Sequence, residues 1–337
     1  MRLIITDCKK FSILAFAVIL SACQNEVKVQ RAQGDALGTT YSILYGDTKA
    51  NESVLDSIDA VFLRINQSMS TYWPNSIISK INRGETVVTD IDFQNVFNAS
   101  QQVWKQTEGY FDPTVGALVN AYGFGPEKPI AEMDSKAVDS LLDITGLHRV
   151  SLLENGTITK ENKNIYVDFN AIAKGYAVDA LVQMLTSLGY QNFLVEVGGE
   201  LFAAGINTEK EMPWRVAIDH PKQQNTRAFI ATLPLQNQGL ASSGNYRKFR
   251  TDGQGKKYVH TINPITGKTV QSNVLSASVL APSTMLADAY ATALMAMPFE
   301  KGKILINSLN NVEAMWVLAV KDSVVVEVTD KFESNLQ

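Results

Sequence analysis

Apolar residues at Val54, Ile58, Val61, Phe62 and Ile65 recur at three- and four-residue steps, which predicts a helix over Ser53 to Ile65. A second helix is expected from Asp92 to about Gln106, with Asp90 placed to cap it. The run from Asn170 to Leu188 predicts a third, with Asn170 as cap and Gly189 just past its end. A fourth is expected from Ser283 to about Met297, stopped by Pro298. Runs suited to strands are Thr40 to Tyr45, Phe193 to Val197 (broken by Gly198-Gly199), Tyr258 to Ile262, Val274 to Leu280, Val312 to Val320 and Ser323 to Val328. Several more fall between Trp214 and Leu240. Strands and helices are mixed without regular alternation, so the expected class is α+β and not a doubly wound parallel sheet. No repeat or low-complexity stretch interrupts the chain after Leu37.

The first residues follow a different pattern. Lys9 and Lys10 precede a short apolar run, Phe11 to Leu20, and then Leu20-Ser21-Ala22-Cys23. This is the layout of a signal peptide, and the run is too short to span a bilayer. A Cys directly after Leu-Ser-Ala resembles the lipobox of bacterial lipoproteins, in which that Cys is acylated. Residues 1–22 are therefore expected to be a lipoprotein signal peptide, 23–35 the lipidated Cys23 with a polar tether, and 36–330 one globular domain. The protein would sit on the periplasmic side of a bacterial membrane, held through Cys23. The only cysteines are Cys8 and Cys23, so the folded domain would have neither a disulfide nor a thiolate nucleophile.

Composition narrows the function. The 337 residues are 45% hydrophobic and carry a net charge of −4, without a basic stripe, which argues against a nucleic-acid partner. A serine-hydrolase elbow, a His-Glu-x-x-His helix, a zinc cysteine set, a Walker loop and a dinucleotide fingerprint are all missing.

A few positions carry chemistry. Asp288 and Thr292 share one face of an otherwise Ala-, Leu- and Met-rich helix. Asp288 is either a hydrogen-bonded core carboxylate or, with the Thr292 hydroxyl, an oxygen ligand for Mg2+. Lys174 falls in the first turns of a helix, where a cation opposes the dipole unless an anion accompanies it; a nearby acid or a bound phosphate would both serve. His260 stands at a strand end before the turn Asn263-Pro264-Ile265-Thr266-Gly267 and is suited either to a cleft base or to a structural role.

Taken in order, these stretches resemble the FAD:protein FMN transferase family, also called ApbE. The resemblance lies in Leu37-Gly38-Thr39-Thr40-Tyr41, Met69-Ser70-Thr71-Tyr72, Gly109 to Gly125, Asp168 to Asp179, Val197-Gly198-Gly199-Glu200, Ser243-Gly244-Asn245-Tyr246-Arg247, His260 to Gly267, and Ala287 to Leu294. It covers essentially the whole chain from Leu37.

The resemblance implies two intimate α+β lobes related to the T-fold, with mixed or antiparallel sheets and an FAD cleft between them. It implies FAD contacts at Leu37, Tyr72, Tyr110, Phe111, Asp112, Asp168, Lys174, His260 and Ile262. It implies Mg2+ held by the Ala171 carbonyl, Asp288 and Thr292. The catalytic residues would be His260, as base, and Asp288. The implied reaction moves FMN from FAD to a Ser or Thr hydroxyl of a membrane redox subunit carrying an Asp/Glu-x-x-Ser/Thr-Gly-Ala-Ser/Thr signal, with AMP released. Two other readings share the same residues: a Mg2+-dependent FAD pyrophosphatase that uses water, and an FAD-binding lipoprotein without turnover.

Overall fold

The computed structural model describes residues 28–47, 53–221, 228–245, 249–251, 257–321 and 323–336. The expected signal peptide, Cys8, Cys23, Tyr246 and Arg247 lie outside these residues. Among the described residues no helix is long and apolar enough to cross a membrane.

The chain begins with β1 (Lys28–Ala36) and β2 (Thr39–Asp47), followed by α1 (Ser53–Met69), α2 (Ile77–Asn82), α3 (Ile91–Gln106), α4 (Gly116–Ala121) and α5 (Ser135–Leu142). The short pair β3 (Val150–Leu152) and β4 (Ile158–Lys160) leads to α6 (Ala173–Ser187). Then come β5 (Phe193–Val197), β6 (Glu200–Ala204), β7 (Trp214–Asp219), β8 (Phe229–Leu235) and β9 (Gln238–Gly244). The small strands β10 (Phe249–Thr251), β11 (Lys257–Val259), β12 (Ile262–Asn263) and β13 (Lys268–Thr269) precede β14 (Val274–Ala281). The chain closes with α7 (Thr284–Ala296), α8 (Phe299–Ser308), β15 (Glu313–Val320), β16 (Ser323–Val328) and α9 (Asp330–Asn335).

Eight strands form one sheet in the order β1-β2-β5-β6-β9-β14-β15-β16, antiparallel throughout. Its two faces have separate cores. One is filled by the apolar stripes of α1, α3, α6 and α7, including Ile58, Phe97, Leu181 and Tyr290, against Ile43, Val195 and Val279. The other carries Trp214, Leu233, Met315 and Phe332 under the β7–β8 hairpin and α9. Burial from both sides explains why β14 reads as a nearly continuous apolar run. A third, smaller cluster of Leu118, Tyr122 and Ile262 joins α4, α5 and the β12–β13 hairpin into a side lobe. The expected α+β class is thus observed.

Local rules fix most element ends. Asp90 caps α3 through Phe93 N, and Ser283 caps α7 through Leu286 N. Gly189, at φ 89°, follows α6. Leu37 and Gly38 form the two-residue β1–β2 turn with φ of 52° and 73°. Both positive values match the twist of paired strands, and the non-glycine Leu37 costs about 1–2 kcal/mol there.

Three expectations need correction. Residues 28–35 are not tether but most of β1, paired along its length with β2. Among β1 residues only Ala32 is buried, so the strand is held by main-chain bonds and shows no apolar alternation. Asn170 does not cap α6, whose cap position is Ile172 without a side-chain bond. Asn170 instead folds back on Asp168 through both its main-chain and side-chain nitrogens. Finally, Tyr258 to Ile262 is not one strand, because it breaks at His260 between β11 and β12.

Candidate active site

The helices α6 and α7 meet with almost no spacing between their first turns. A Cβ on Gly175 would stand 2.7 Å from Thr284 C and 2.8 Å from Met285 Cα. Only glycine admits this approach. Asp179 Oδ1 and Oδ2 accept the Thr284 and Met285 amides at 2.8 and 2.9 Å, which ties α6 to the α7 N-terminus. Burial pushes the Asp179 carboxyl up to about 6 in spite of those donors.

This packing sets Asp288, 3% exposed, against the start of α6. Its Oδ2 accepts the Gly175 amide at 3.1 Å and lies 3.6 Å from Lys174 Nζ. Gly175 N–H is the donor that an uninterrupted helix would aim at the Ala171 carbonyl. Lys174 Nζ also donates to Glu200 Oε1 at 2.8 Å. Burial works against the ammonium, but Asp288 and Glu200 outweigh it and hold its pKa above the ordinary lysine value. Burial pushes Glu200 up to about 7; Lys174 opposes the rise and Asp288 adds to it.

Thr292 lies one turn beyond Asp288, with its hydroxyl 3.4 Å from Ser243 Oγ on β9. Among the described residues no three His, Cys, Asp or Glu side chains gather to hold a metal. A cation at Asp288 would therefore draw on hydroxyl and main-chain oxygens. The Asp288 carboxylate, the Thr292 hydroxyl and the Ala171 carbonyl are hard oxygen donors of the kind Mg2+ takes, so this donor set fits the ion.

The remaining expected residues fall around these helices. Thr39, beside the Leu37 turn, reaches the β5–β6 turn: a Cβ on Gly198 would be 2.8 Å from Thr39 Cγ2 and 3.3 Å from Lys174 Cδ. Asp168, 8% exposed, closes its Asx turn with Asn170, and desolvation raises its pKa. Tyr72 is 60% exposed, and its hydroxyl pKa is raised by partial burial and by the Asp168 charge. An exposed aromatic ring is a ready platform for a flat heterocycle.

Other positions are structural in their side chains. Phe111 belongs to the main core. Both Asp112 oxygens are taken by protein donors, from Trp104, Thr114 and Leu147. Tyr110 is half-buried under Lys301 Nζ, 5.0 Å from its ring centre.

His260 and Ile262 belong to the side lobe. The His260 ring meets Phe124 edge-on at 6.4 Å, and Ile262 packs on Leu118 and Tyr122. The segment is tied to the sheet by Thr261 Oγ1 donating to Asn245 Oδ1 at 2.6 Å, and to α7 by Asn263 Nδ2 donating to the Ala296 carbonyl at 3.4 Å. The structure thus draws Lys174 and Asp288 into direct contact, with Thr292 a turn away, and ties the segment after His260 to Asn245, just past β9, and to the end of α7. Glu200 was missed as a site residue, although its position right after Gly198-Gly199 marks a strand start held close to Lys174.

Comparison with known proteins identifies the family. The profile of the ApbE family matches residues 37–316. An FAD:protein FMN transferase of Haemophilus influenzae is 36% identical over 332 residues, 95% of either chain. One from Vibrio cholerae is 32% identical, covering 92% of this chain and 93% of the relative. The solved flavin transferase ApbE of Vibrio cholerae superposes with a TM-score of 0.83 at 31% identity, over 92% of this chain and all of that one. The apo flavinyl transferase ApbE of Pseudomonas stutzeri gives 0.82 at 29% identity, over 92% and 97%. This chain is a member of the ApbE family.

Proposed function

We propose that this protein transfers FMN from FAD to a Ser or Thr hydroxyl of a partner protein and releases AMP. The observation that carries the reading is the cluster of Lys174, Asp288 and Glu200 packed where α6 and α7 meet, in a chain whose full-length relatives are named for this transfer. Lys174 supplies a cation toward the diphosphate of FAD, at the positive end of the α6 dipole. Tyr72 offers its exposed face to the isoalloxazine ring. Leu37, Tyr110, Phe111, Asp168 and Ile262 line or brace the cleft; with its carboxylate engaged, Asp112 would contribute through its main chain.

The Ala171 carbonyl, Asp288 and Thr292 would hold Mg2+. When bound, that ion offsets diphosphate charge and eases departure of AMP. His260 takes the proton from the acceptor hydroxyl as its oxygen bonds the FMN phosphorus. The P–O bond to AMP breaks, and the product is a phosphoester-linked FMN. Lipidation of Cys23 would hold the enzyme at the periplasmic membrane face beside acceptor subunits bearing the Asp/Glu-x-x-Ser/Thr-Gly-Ala-Ser/Thr signal.

The test is incubation with FAD, Mg2+ and an acceptor domain bearing that signal, read by mass spectrometry. The expected result is an acceptor heavier by one esterified FMN, with AMP in equal amount. Free FMN formed at the same rate with or without the acceptor would replace transfer with hydrolysis.

A further inference from the structure

Lys174 stands between two buried carboxylates, but not midway. Its Nζ is 2.8 Å from Glu200 Oε1 and 3.6 Å from Asp288 Oδ2. An ammonium in full contact with Asp288 would compete with any metal ion for the same oxygens. We propose that Glu200 is a positioning residue that draws the Lys174 ammonium off Asp288 and so keeps that carboxylate open to a divalent cation. The proposal rests on the reading of Asp288 as a cation ligand and deepens it.

The surroundings of Glu200 are built for such a hold. Gly198 and Gly199, at φ 63° and 105°, turn the chain sharply into β6, and the Gly199 amide is pinned by Glu196 Oε1 at 2.6 Å. Glu200 pairs with Val197 across the β5–β6 turn, and from Leu201 onward β6 is paired with β9 as well, which fixes the backbone at the strand start. The missing Cβ at Gly198 leaves room for the Lys174 stem.

Glu200 itself is 4% exposed, and its second oxygen, Oε2, is buried without a hydrogen-bond partner. An apolar residue there would avoid the desolvation of a carboxylate, so its presence calls for a reason other than stability. Charge supplies one. With all three groups ionised, Lys174, Glu200 and Asp288 sum to one negative charge. One divalent cation would make the cluster net positive, matched to an anionic diphosphate. Without Glu200 the lysine and Asp288 would neutralise each other and the attraction for the cation would fall.

The test is a Mn2+ titration of the full protein, followed by electron paramagnetic resonance, with Mn2+ as a probe for an oxygen-ligated divalent site. Glu200→Gln keeps the shape and removes the charge. Its Mn2+ dissociation constant should rise at least tenfold. The double variant Glu200→Gln/Lys174→Met, which also removes the competitor, should return to within threefold of the unmodified protein. A merely structural role for Glu200 would not be restored in this way, and thermal unfolding of both variants checks the fold.

Wild-type Mn2+ affinity in Glu200→Gln, or no recovery in the double variant, overturns the proposal. Asp288→Ala separates the two levels. If it loses the Mn2+ signal, the cation reading stands whatever Glu200 does. If it binds Mn2+ like the wild type, the cation reading falls and the Glu200 proposal falls with it.

Discussion

Gly175→Ala should both destabilise the protein and impair transfer, because the added methyl meets main chain and not a movable side chain. The new Cβ would sit 2.7 Å from Thr284 C and 2.8 Å from Met285 Cα, and closer still to the Thr284 carbonyl oxygen. Ordinary contacts begin near 3.4 Å, so α7 must move by more than half an ångström. Overpacking of this kind costs about 1–3 kcal/mol, and a rigid backbone neighbour puts it near the upper end. Alanine returns about 1 kcal/mol of helix propensity. A net loss of about 2 kcal/mol corresponds to a fall in Tm of roughly 3 °C for a domain of this size.

The same displacement carries Asp288 and Thr292 away from Lys174, and an error of about 1 Å in a reacting constellation can cost roughly a hundredfold in rate. Gly84→Ala is the control. Its φ is 84° with open space around the missing Cβ, so it should lose about 1–2 kcal/mol to backbone strain while transfer per folded molecule stays unchanged. Differential scanning calorimetry and the FMN mass-shift assay measure the two effects. A Gly175→Ala protein with wild-type Tm and transfer rate refutes the close-packing account of the α6–α7 junction.

His260→Ala should retain FAD binding, as followed by flavin fluorescence, while transfer slows by about 10²- to 10⁴-fold; loss of FAD binding at unchanged turnover would contradict a role as base. Asp179 has a folded pKa of about 6 against an ordinary 3.8. A raised folded value means that its stabilising contribution is complete below about pH 4 and is lost as pH rises through 6, about 3 kcal/mol in all. Asp179→Asn should remove that slope, so urea unfolding free energies of the two proteins should converge or cross between pH 4 and 7. Parallel curves would show that the group titrates alike folded and unfolded.

Much of the fold was legible because it rests on neighbours along the chain. The three- and four-residue apolar steps of α1, the Asp90 cap of α3, the Ser283 cap and Pro298 stop of α7, and the strands β5, β15 and β16 are set by local backbone preference and by which faces must leave water. The order of the glycine, lysine and acid motifs was likewise enough to point to the family. Strand β1 was not legible, because an edge strand with one buried side chain is held by main-chain bonds to β2 and leaves no apolar period. Nor was the break at His260, which follows from a segment drawn toward Asn245 and Ala296 by bonds that span 16 and 33 residues.

The site depends on tertiary structure to a greater degree. Asp288 and Gly175 are 113 residues apart in sequence and share a hydrogen bond, and Lys174 reaches Glu200 across 26. Which carboxylate an ammonium approaches more closely is decided by the spacing of two helices and a strand, and that spacing is a sum of packing contacts from the whole core. The residue types could be read one at a time from the sequence; their distances, and hence the charge each one feels, exist only once the sheet has closed beneath α6 and α7.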